Sequence, residues 1–181
     1  MILGLDVSTS CTGLCLLSPE GLAAHDYIKL NRKKHTDLFV KAESVREKLL
    51  EVKEQCTVKH VVIERSVLRM GRGMSSAHTI NLLSRFNGIV SWLCYDIFDM
   101  VPTFLDARVA RKRVGIEVPK GSDAKTQVVQ HLMKHHKFGV EYTAKGNVVP
   151  AFYDMADAYV MALAFERSAL ATPPPTPVSG E

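Results

Sequence analysis

The sequence predicts an α/β domain with a mixed five-stranded sheet, three antiparallel plus two parallel strands, flanked by helices on both faces. The chain has 181 residues, 46% of them hydrophobic, which is enough to build one compact core. Short apolar runs alternate with longer amphipathic segments in the order βββ-α-β-α-β-α-α. That order is typical of an antiparallel meander extended by strands that return through helical crossovers.

Each predicted strand is a short apolar run bounded by turn residues. The turn Pro19-Glu20-Gly21 joins the second and third runs, so the first three strands should form a meander. The fourth run follows a helix and should therefore lie parallel to the first. The five predicted strands are Ile2–Val7, Thr12–Leu17, Ala23–Leu30, His60–Glu64 and Met100–Leu105.

Apolar residues at helical spacing predict four helices between and after these strands. They are Phe39–Cys56, Ala77–Ile97, a helix capped by Ser122 that runs to Lys137, and Tyr153–Leu170. The Gly- and Ser-rich residues 69–76 are predicted to form a mobile loop. Residues 1–170 form the predicted domain, and the proline-rich residues 171–181 form a predicted disordered tail.

Composition excludes several classes of protein. The sequence contains no run of eighteen apolar residues, so no membrane span is predicted. The first residues have the pattern of a strand rather than that of a signal peptide. The four cysteines lack the spacing of zinc ligands and are predicted to be reduced core thiols. We therefore expect an intracellular protein, in the cytoplasm or nucleoid, or in an organelle if a transit peptide has been removed.

Four carboxylates occupy positions from which each can reach one point: Asp6, Glu64, Asp154 and Asp157. Asp6 and Glu64 end apolar strands, and the spacing of Asp154 and Asp157 puts both on one face of a helix. Buried acids need a cation. Two Mg²⁺ or Mn²⁺ ions about 3.5–4 Å apart would suit these oxygens and would hydrolyse a phosphodiester. Taken singly, each acid also fits a strand-end or helix-surface charge.

Basic residues follow two of the predicted strands, although the net charge of +4 alone identifies no partner. Any one basic run also fits a solvated face. Because both segments follow central strands, we expect them to contact phosphates. The first segment contains Arg65, Arg69 and Arg72, and the second contains Arg108, Arg111, Lys112, Arg113, Lys120 and Lys125.

Four motifs resemble those of the RuvC-type Holliday junction resolvases, in the ribonuclease H-like superfamily. Ile2–Asp6 followed by Thr12-Gly13 resembles the first motif of that family, and Val61–Glu64 resembles its second acid. Lys125–Val128 resembles the Lys-x-x-Val of its penultimate helix, and Asp154–Ala158 its closing Asp-x-x-Asp-Ala. The resemblance covers the chain from about residue 1 to residue 165 in order, which makes it specific although each motif alone is weak.

The resemblance implies a ribonuclease H-like fold and a crossover junction endodeoxyribonuclease. Members bind four-way DNA junctions as homodimers and make two symmetric metal-dependent nicks, in DNA recombination and repair. By resemblance, the four acids would bind the metal ions and Lys125 would contact the scissile phosphate. The helix Ala77–Ile97, with Arg85–Gly88, corresponds in place to the helix that mediates dimerisation.

Two features depart from the family pattern or invite other interpretations. Many members carry an aromatic wedge after the second acid, whereas this chain has Leu68 and Met70 as the apolar alternatives. The histidines His131, His135 and His136 invite a metal site, but a solvated helix end explains them more simply.

Three other functions compete with this interpretation. Sugar kinases and actin-like ATPases share the first strand and turn, but they need a second such domain, for which 181 residues are too few. A non-catalytic scaffold of the tRNA-threonylcarbamoylation type has no need of Glu64, Asp154 or Asp157. A ribonuclease H-like nuclease acting on RNA or other branched DNA is the nearest alternative.

Overall fold

Five strands form one mixed sheet in the computed structural model, which describes residues 1–31, 33–66 and 77–171. The strands are β1 (Ile2–Val7), β2 (Cys11–Ser18), β3 (Gly21–Lys29), β4 (His60–Glu64) and β5 (Thr103–Leu105). Their order across the sheet is β3-β2-β1-β4-β5. The first three strands pair antiparallel, and β4 pairs parallel to both β1 and β5. The predicted sheet is therefore confirmed.

The helices flank the sheet on both faces, as predicted. Their bounds are α1 (Leu38–Gln55), α2 (Ala77–Phe98), α3 (Ala107–Val114), α4 (Ala124–His136) and α5 (Ala151–Ala171). Four of these match predicted helices to within a few residues. Residues 67–76, which include the predicted loop, and residues 172–181, which contain nearly all of the predicted tail, lie outside the described residues, so those two predictions stay predictions.

The short helix α3 was not predicted. Its eight residues are half basic, and only Ala110 and Val114 are buried, so no apolar periodicity marks it. It forms because both ends are capped. The Asp106 side chain accepts hydrogen bonds from two backbone amides in the first turn, and Gly115 ends the helix in the left-handed conformation at φ 79°.

The prediction that Ser122 caps α4 is wrong. Asp123 is the cap, and its side chain accepts hydrogen bonds from the backbone amide and the hydroxyl of Thr126. The Ser122 hydroxyl instead donates to the Pro119 carbonyl oxygen at 2.7 Å. A carboxylate is the stronger cap here because it also complements the positive end of the helix dipole.

Alternation along the strands separates two cores, one on each face. Leu3, Leu5 and Ile63 pack against α1 and α2. Residues of the other parity, such as Cys15 and Val62, pack against α3, α4 and α5. Among the described residues no helix has the length and apolarity needed to cross a membrane. All four cysteines are free thiols, in agreement with the prediction.

Candidate metal centre

The strand acids both face α5, because side chains alternate along a strand. Leu3, Leu5 and Val7 point into the core under α1 and α2, so Asp6 points to the opposite face. In β4, Val62 packs against the α5 core, and Glu64 lies two residues further along on the same face. The two strands are parallel neighbours, so both acids lie at the same edge of the sheet.

Two glycines let α5 reach the sheet closely enough to bring its acids to Asp6. A Cβ atom on Gly13, which is paired with Asp6, would lie 2.3 Å from the carbonyl carbon and oxygen of Asp154. A Cβ atom on Gly4 would lie 2.1 Å from the Ala158 carbonyl oxygen. Backbone atoms cannot move aside as a flexible side chain does. Glycine is therefore required at both positions by close backbone approach.

Three of the four predicted acids converge on one point. Carboxylate oxygens of Asp6, Glu64 and Asp157 all lie within 4.8 Å of one another. Asp154 lines the same cavity, of about 300 Å³, but it is not part of this group. Its carboxylate instead forms an ion pair with Lys125. The structure thus separates the predicted quartet into a convergent trio and an adjacent acid in the first turn of α5.

The three carboxylates are largely buried and repel one another when they are ionised. Burial raises the pKa of Asp6 well above its usual value, and the charges of Glu64, Asp157 and Asp154 raise it further. Burial, followed by the charge of Asp157, raises the pKa of Glu64 to about 7. Burial raises the pKa of Asp157 to about 6 against the opposing charge of Lys125. The three carboxylates therefore resist full ionisation near neutral pH unless a cation joins them.

Lys125 is the ammonium group closest to these acids in the described part of the chain. Its Nζ lies 2.9 Å from Asp154 Oδ1 and 3.9 Å from Asp157 Oδ2. Burial opposes its charged form, but the hydrogen bond to Asp154 and the charges of Asp157 and Asp6 outweigh burial and raise the pKa of Lys125. The side chain is half exposed, so its ammonium also faces the cavity.

The donor set fits a hard divalent cation. The convergent atoms are carboxylate oxygens, the ligands that Mg²⁺ and Mn²⁺ prefer, and no thiol or imidazole joins them in the group that the described residues form. The open cavity leaves space for water and for a phosphate oxygen beside the acids.

The predicted basic residues divide by location. Arg65 lines the acid cavity, directly after Glu64. Arg108, Arg111 and Lys112 line a second cavity of about 570 Å³ beside the start of α4. The charge of Arg111 also lowers the pKa of Glu64, so this groove adjoins the acid site.

The remaining predicted bases are less directly placed. Arg113 and Lys120 are exposed and line neither cavity. Arg69 and Arg72 lie outside the described residues, as do the wedge candidates Leu68 and Met70.

Comparison with solved structures finds RuvC-type resolvases. The chain superposes on Thermus thermophilus RuvC in complex with Holliday junction substrate with a TM-score of 0.67, at 13% identity over 94% of both chains. A second structure of Thermus thermophilus RuvC gives 0.62, at 15% identity over 94% of this chain and 95% of that one. The yeast mitochondrial Holliday junction resolvase Ydc2 gives 0.59, at 15% identity over 92% of this chain and 77% of that one.

The chain has the ribonuclease H-like fold of RuvC. No family model matches the chain, and no curated protein matches it in sequence. The likeness at 13–15% identity is therefore one of fold.

One wall of the acid cavity was not identified as functional from the sequence. Leu83 and Asn87 of α2 line it, together with the hydroxyl-bearing Ser8 and Ser10 of the turn after β1. In α2, the sequence signal for this wall was Asn87, a polar residue among apolar ones. In the structure, Asn87 is 5% exposed and its neighbour Phe86 is 0% exposed.

Proposed function

We propose that this chain is a metal-dependent, structure-selective endonuclease that resolves four-way DNA junctions by paired symmetric nicks. The observation that carries the proposal is the convergence of Asp6, Glu64 and Asp157 within 4.8 Å, beside the Lys125–Asp154 pair. The fold shared with RuvC supports it, because one of those RuvC structures holds Holliday junction substrate.

The acids would hold two Mg²⁺ or Mn²⁺ ions, with Asp154 joining the trio. Such ions activate a water molecule and polarise the phosphate when bound. Asp6 interacts with all three other acids, because the charge of each raises its pKa. The Lys125 ammonium, half exposed above Asp154, is placed to donate to a phosphate oxygen and to balance charge that develops there.

The basic groove would hold the DNA backbone next to the site. Arg65 enters the acid cavity, and the α3 groove presents Arg108, Arg111 and Lys112 beside it. These groups contact phosphates rather than base edges in this proposal, so recognition rests on DNA shape and affinity falls with salt. Sequence preference at the cut would come from the residues that follow Glu64.

A homodimer would present two such sites to a two-fold junction. The proposed interface is the outer face of α2, where Trp92 is 60% and Tyr95 50% exposed, together with Phe39 of α1 at 72%. Phe39 and Trp92 line an apolar groove of about 550 Å³. Large exposed aromatics of this kind mark interaction surfaces. Trp92→Glu should convert a dimer to a monomer in light scattering, whereas a monomeric wild type would contradict the interface.

The decisive experiment compares cleavage of a synthetic four-way junction and a linear duplex of the same sequence. Wild type and Asp6→Asn are each assayed with Mg²⁺, Mn²⁺ or EDTA. We expect junction cleavage only by wild type with metal. Equal cutting of both DNAs, or cutting of RNA instead, would replace the resolvase by the more general nuclease. No metal-dependent cutting of any nucleic acid would favour the non-catalytic scaffold, although that function leaves the carboxylate trio without a purpose.

A further inference from the structure

One hydrogen bond ties helix α2 to a proposed metal ligand. Asn87 Nδ2 donates to the backbone carbonyl oxygen of Glu64 at 3.1 Å. The helix lies against the opposite face of the sheet from α5, so this contact reaches the acid site from the side that carries none of the four acids. Asn87 also lines the acid cavity itself, one turn after Leu83.

The contact matters for Glu64 because this residue ends strand β4, where the pairing with β1 has already stopped. The paired residues of β1 and β4 run from Ile2 and His60 to Leu5 and Ile63, one position short of Asp6 and Glu64. On the other side, Glu64 lies opposite Leu105, the last residue of β5. The strand ends here, because Arg65 and Ser66 have no regular secondary structure. On the β5 side, the Arg65 amide of the Glu64–Arg65 peptide donates to the Leu105 carbonyl oxygen at 2.8 Å. Asn87 holds the carbonyl oxygen of the same peptide, so these two contacts together set its orientation.

The surroundings of Asn87 give the contact a fixed geometry. Asn87 is 5% exposed, and its neighbours Phe86 and Val90 are fully buried in the core beneath α1 and β4. A side chain packed this way has little freedom to rotate, so the amide is held in place by the helix. The amide is also neutral, and it supplies a donor without adding charge to a site that already holds excess negative charge.

We propose that Asn87 is a positioning residue for metal binding: it fixes the end of β4 and thereby the carboxylate of Glu64. This inference rests on the proposed metal site. Ligand groups must be held to within about 0.5 Å of their working geometry, and partners that orient a ligand typically contribute about 10- to 100-fold in metal affinity. Asn87 acts through Glu64, so its loss should weaken metal binding before any DNA is present.

The test measures Mn²⁺ binding to the full chain by calorimetry and by the metal-induced rise in melting temperature. Asn87→Leu keeps the volume but removes the donor. Asn87→Asp keeps the shape, cannot donate when ionised, and adds a charge. Ser91→Ala is the matched control, because the Ser91 hydroxyl also makes a hydrogen bond within α2, to the Asn87 carbonyl oxygen at 2.6 Å, but does not reach Glu64.

We expect both Asn87 variants to need at least about 10-fold more Mn²⁺ for half-saturation, with Ser91→Ala within about 2-fold of wild type. The Mn²⁺ concentration that gives half-maximal junction cleavage should shift by the same factor. High Mn²⁺ should restore most of the rate.

Four results would overturn the inference. Asn87 variants that melt earlier but bind Mn²⁺ as wild type does would show a structural role only, as would failure of both variants to fold. Wild-type cleavage with unchanged Mn²⁺ dependence in the variants would leave the nuclease proposal standing and remove this one. Wild-type protein that binds no Mn²⁺ would remove both.

Discussion

The two faces of the sheet are joined to the acid site in different ways. On one face, α5 lies so close that its backbone at Asp154 and Ala158 occupies the space of absent Cβ atoms on Gly13 and Gly4. On the other face, α2 contacts the Glu64 backbone through the hydrogen bond from Asn87 and lines the cavity with Asn87 and Leu83. The α5 face supplies all the charged chemistry, whereas the α2 face supplies an apolar core and one neutral donor.

This difference follows from what each contact has to achieve. Bringing like charges together is opposed by repulsion and by desolvation, so the acids must be held by rigid backbone packing. Adjusting the angle of one peptide requires only a hydrogen bond, which contributes about 0.5–1.5 kcal/mol. Variants on the α5 face should therefore have larger effects than variants on the α2 face.

The largest effect should come from Gly13→Ala. The added methyl would lie 2.3 Å from the Asp154 carbonyl and 2.6 Å from the Met155 amide nitrogen, so α5 must move away from the sheet. We expect a loss of at least about 3 kcal/mol in the free energy of unfolding and loss of metal-dependent cleavage. Urea unfolding checks the stability.

Gly139→Ala provides the control for this variant, because nothing lies within 4 Å of the added atom. It should change stability by less than about 0.5 kcal/mol. If Gly13→Ala were as mild as Gly139→Ala, close backbone packing would not be what positions Asp154.

Removing the Lys125 ammonium should give the next largest effect. Lys125→Met keeps the length of the side chain but leaves Asp154 and Asp157 without their cation at 2.9 and 3.9 Å. We expect cleavage to fall by about 10²-fold or more at saturating DNA, since a donor aimed at developing charge typically contributes that much. Single-turnover rates provide the measurement. Lys134→Met, at the exposed far end of α4, should stay within about 2-fold.

The sequence predicted the charged part of this site better than its supports. Asp6 and Glu64 follow from strand ends, and their shared face follows from alternation, because both signals are local. The tight contact at Gly13 joins positions 141 residues apart along the chain, and glycine in a strand looks the same whether it is exposed or covered. The hydrogen bond from Asn87 also depends on tertiary packing, and one polar residue on an apolar helix does not reveal its partner.

Helix α3 is a second feature that depends on tertiary packing and that the sequence did not reveal. The basic residues were visible, but the helix was not, because only two of its side chains are buried. Without the helix, the sequence could not separate Arg111, which lines the groove and whose charge reaches Glu64, from Arg113, which does not line the groove. A capping aspartate at Asp106 and Gly115 eight residues after the first helical position were the available signals.

Metal-free stability should reveal the repulsion among the acids. The pKa of Glu64 is raised to about 7 and that of Asp157 to about 6, so between about pH 4 and pH 7 these two carboxyls bind more protons in the folded chain than in the unfolded chain. Burial lowers the pKa values of His25, His131 and His136, and these histidines act in the opposite direction. The contribution of the acid site to stability in EDTA should therefore fall as pH rises through that window, which the difference between wild type and an acid-site variant isolates. Asp6→Asn removes one repelling charge and should stabilise the metal-free protein at pH 8 by on the order of 1–2 kcal/mol.

Thermal melts in EDTA at pH 4 to 8 measure this effect. The gain from Asp6→Asn should vanish near pH 4, and Mn²⁺ should reverse the order of stability by protecting only wild type. Glu54→Gln on the exposed surface of α1 should leave the pH profile as it is in wild type. A difference in stability between Asp6→Asn and wild type that does not grow from pH 4 to pH 8 would contradict repulsion within the carboxylate trio.

The smallest effect, and the one that locates the DNA most finely, concerns two arginines on α3. Arg111 lines the groove and its charge reaches both Glu64 and Asp157, whereas Arg113 lies on the same helix outside the groove. Arg111→Gln should weaken junction binding by roughly 3- to 10-fold and lower the slope of log affinity against log salt by about 0.9, the value of one phosphate contact. Arg113→Gln should change both quantities less, and Arg46→Gln, on the exposed surface of α1, should change neither.

Fluorescence anisotropy with labelled junction in Ca²⁺ measures the affinity and its salt dependence. Equal losses from Arg111 and Arg113 would mean that DNA contacts the whole basic surface of α3, and the charged chemistry of the α5 face would then extend beyond the groove that adjoins the acids.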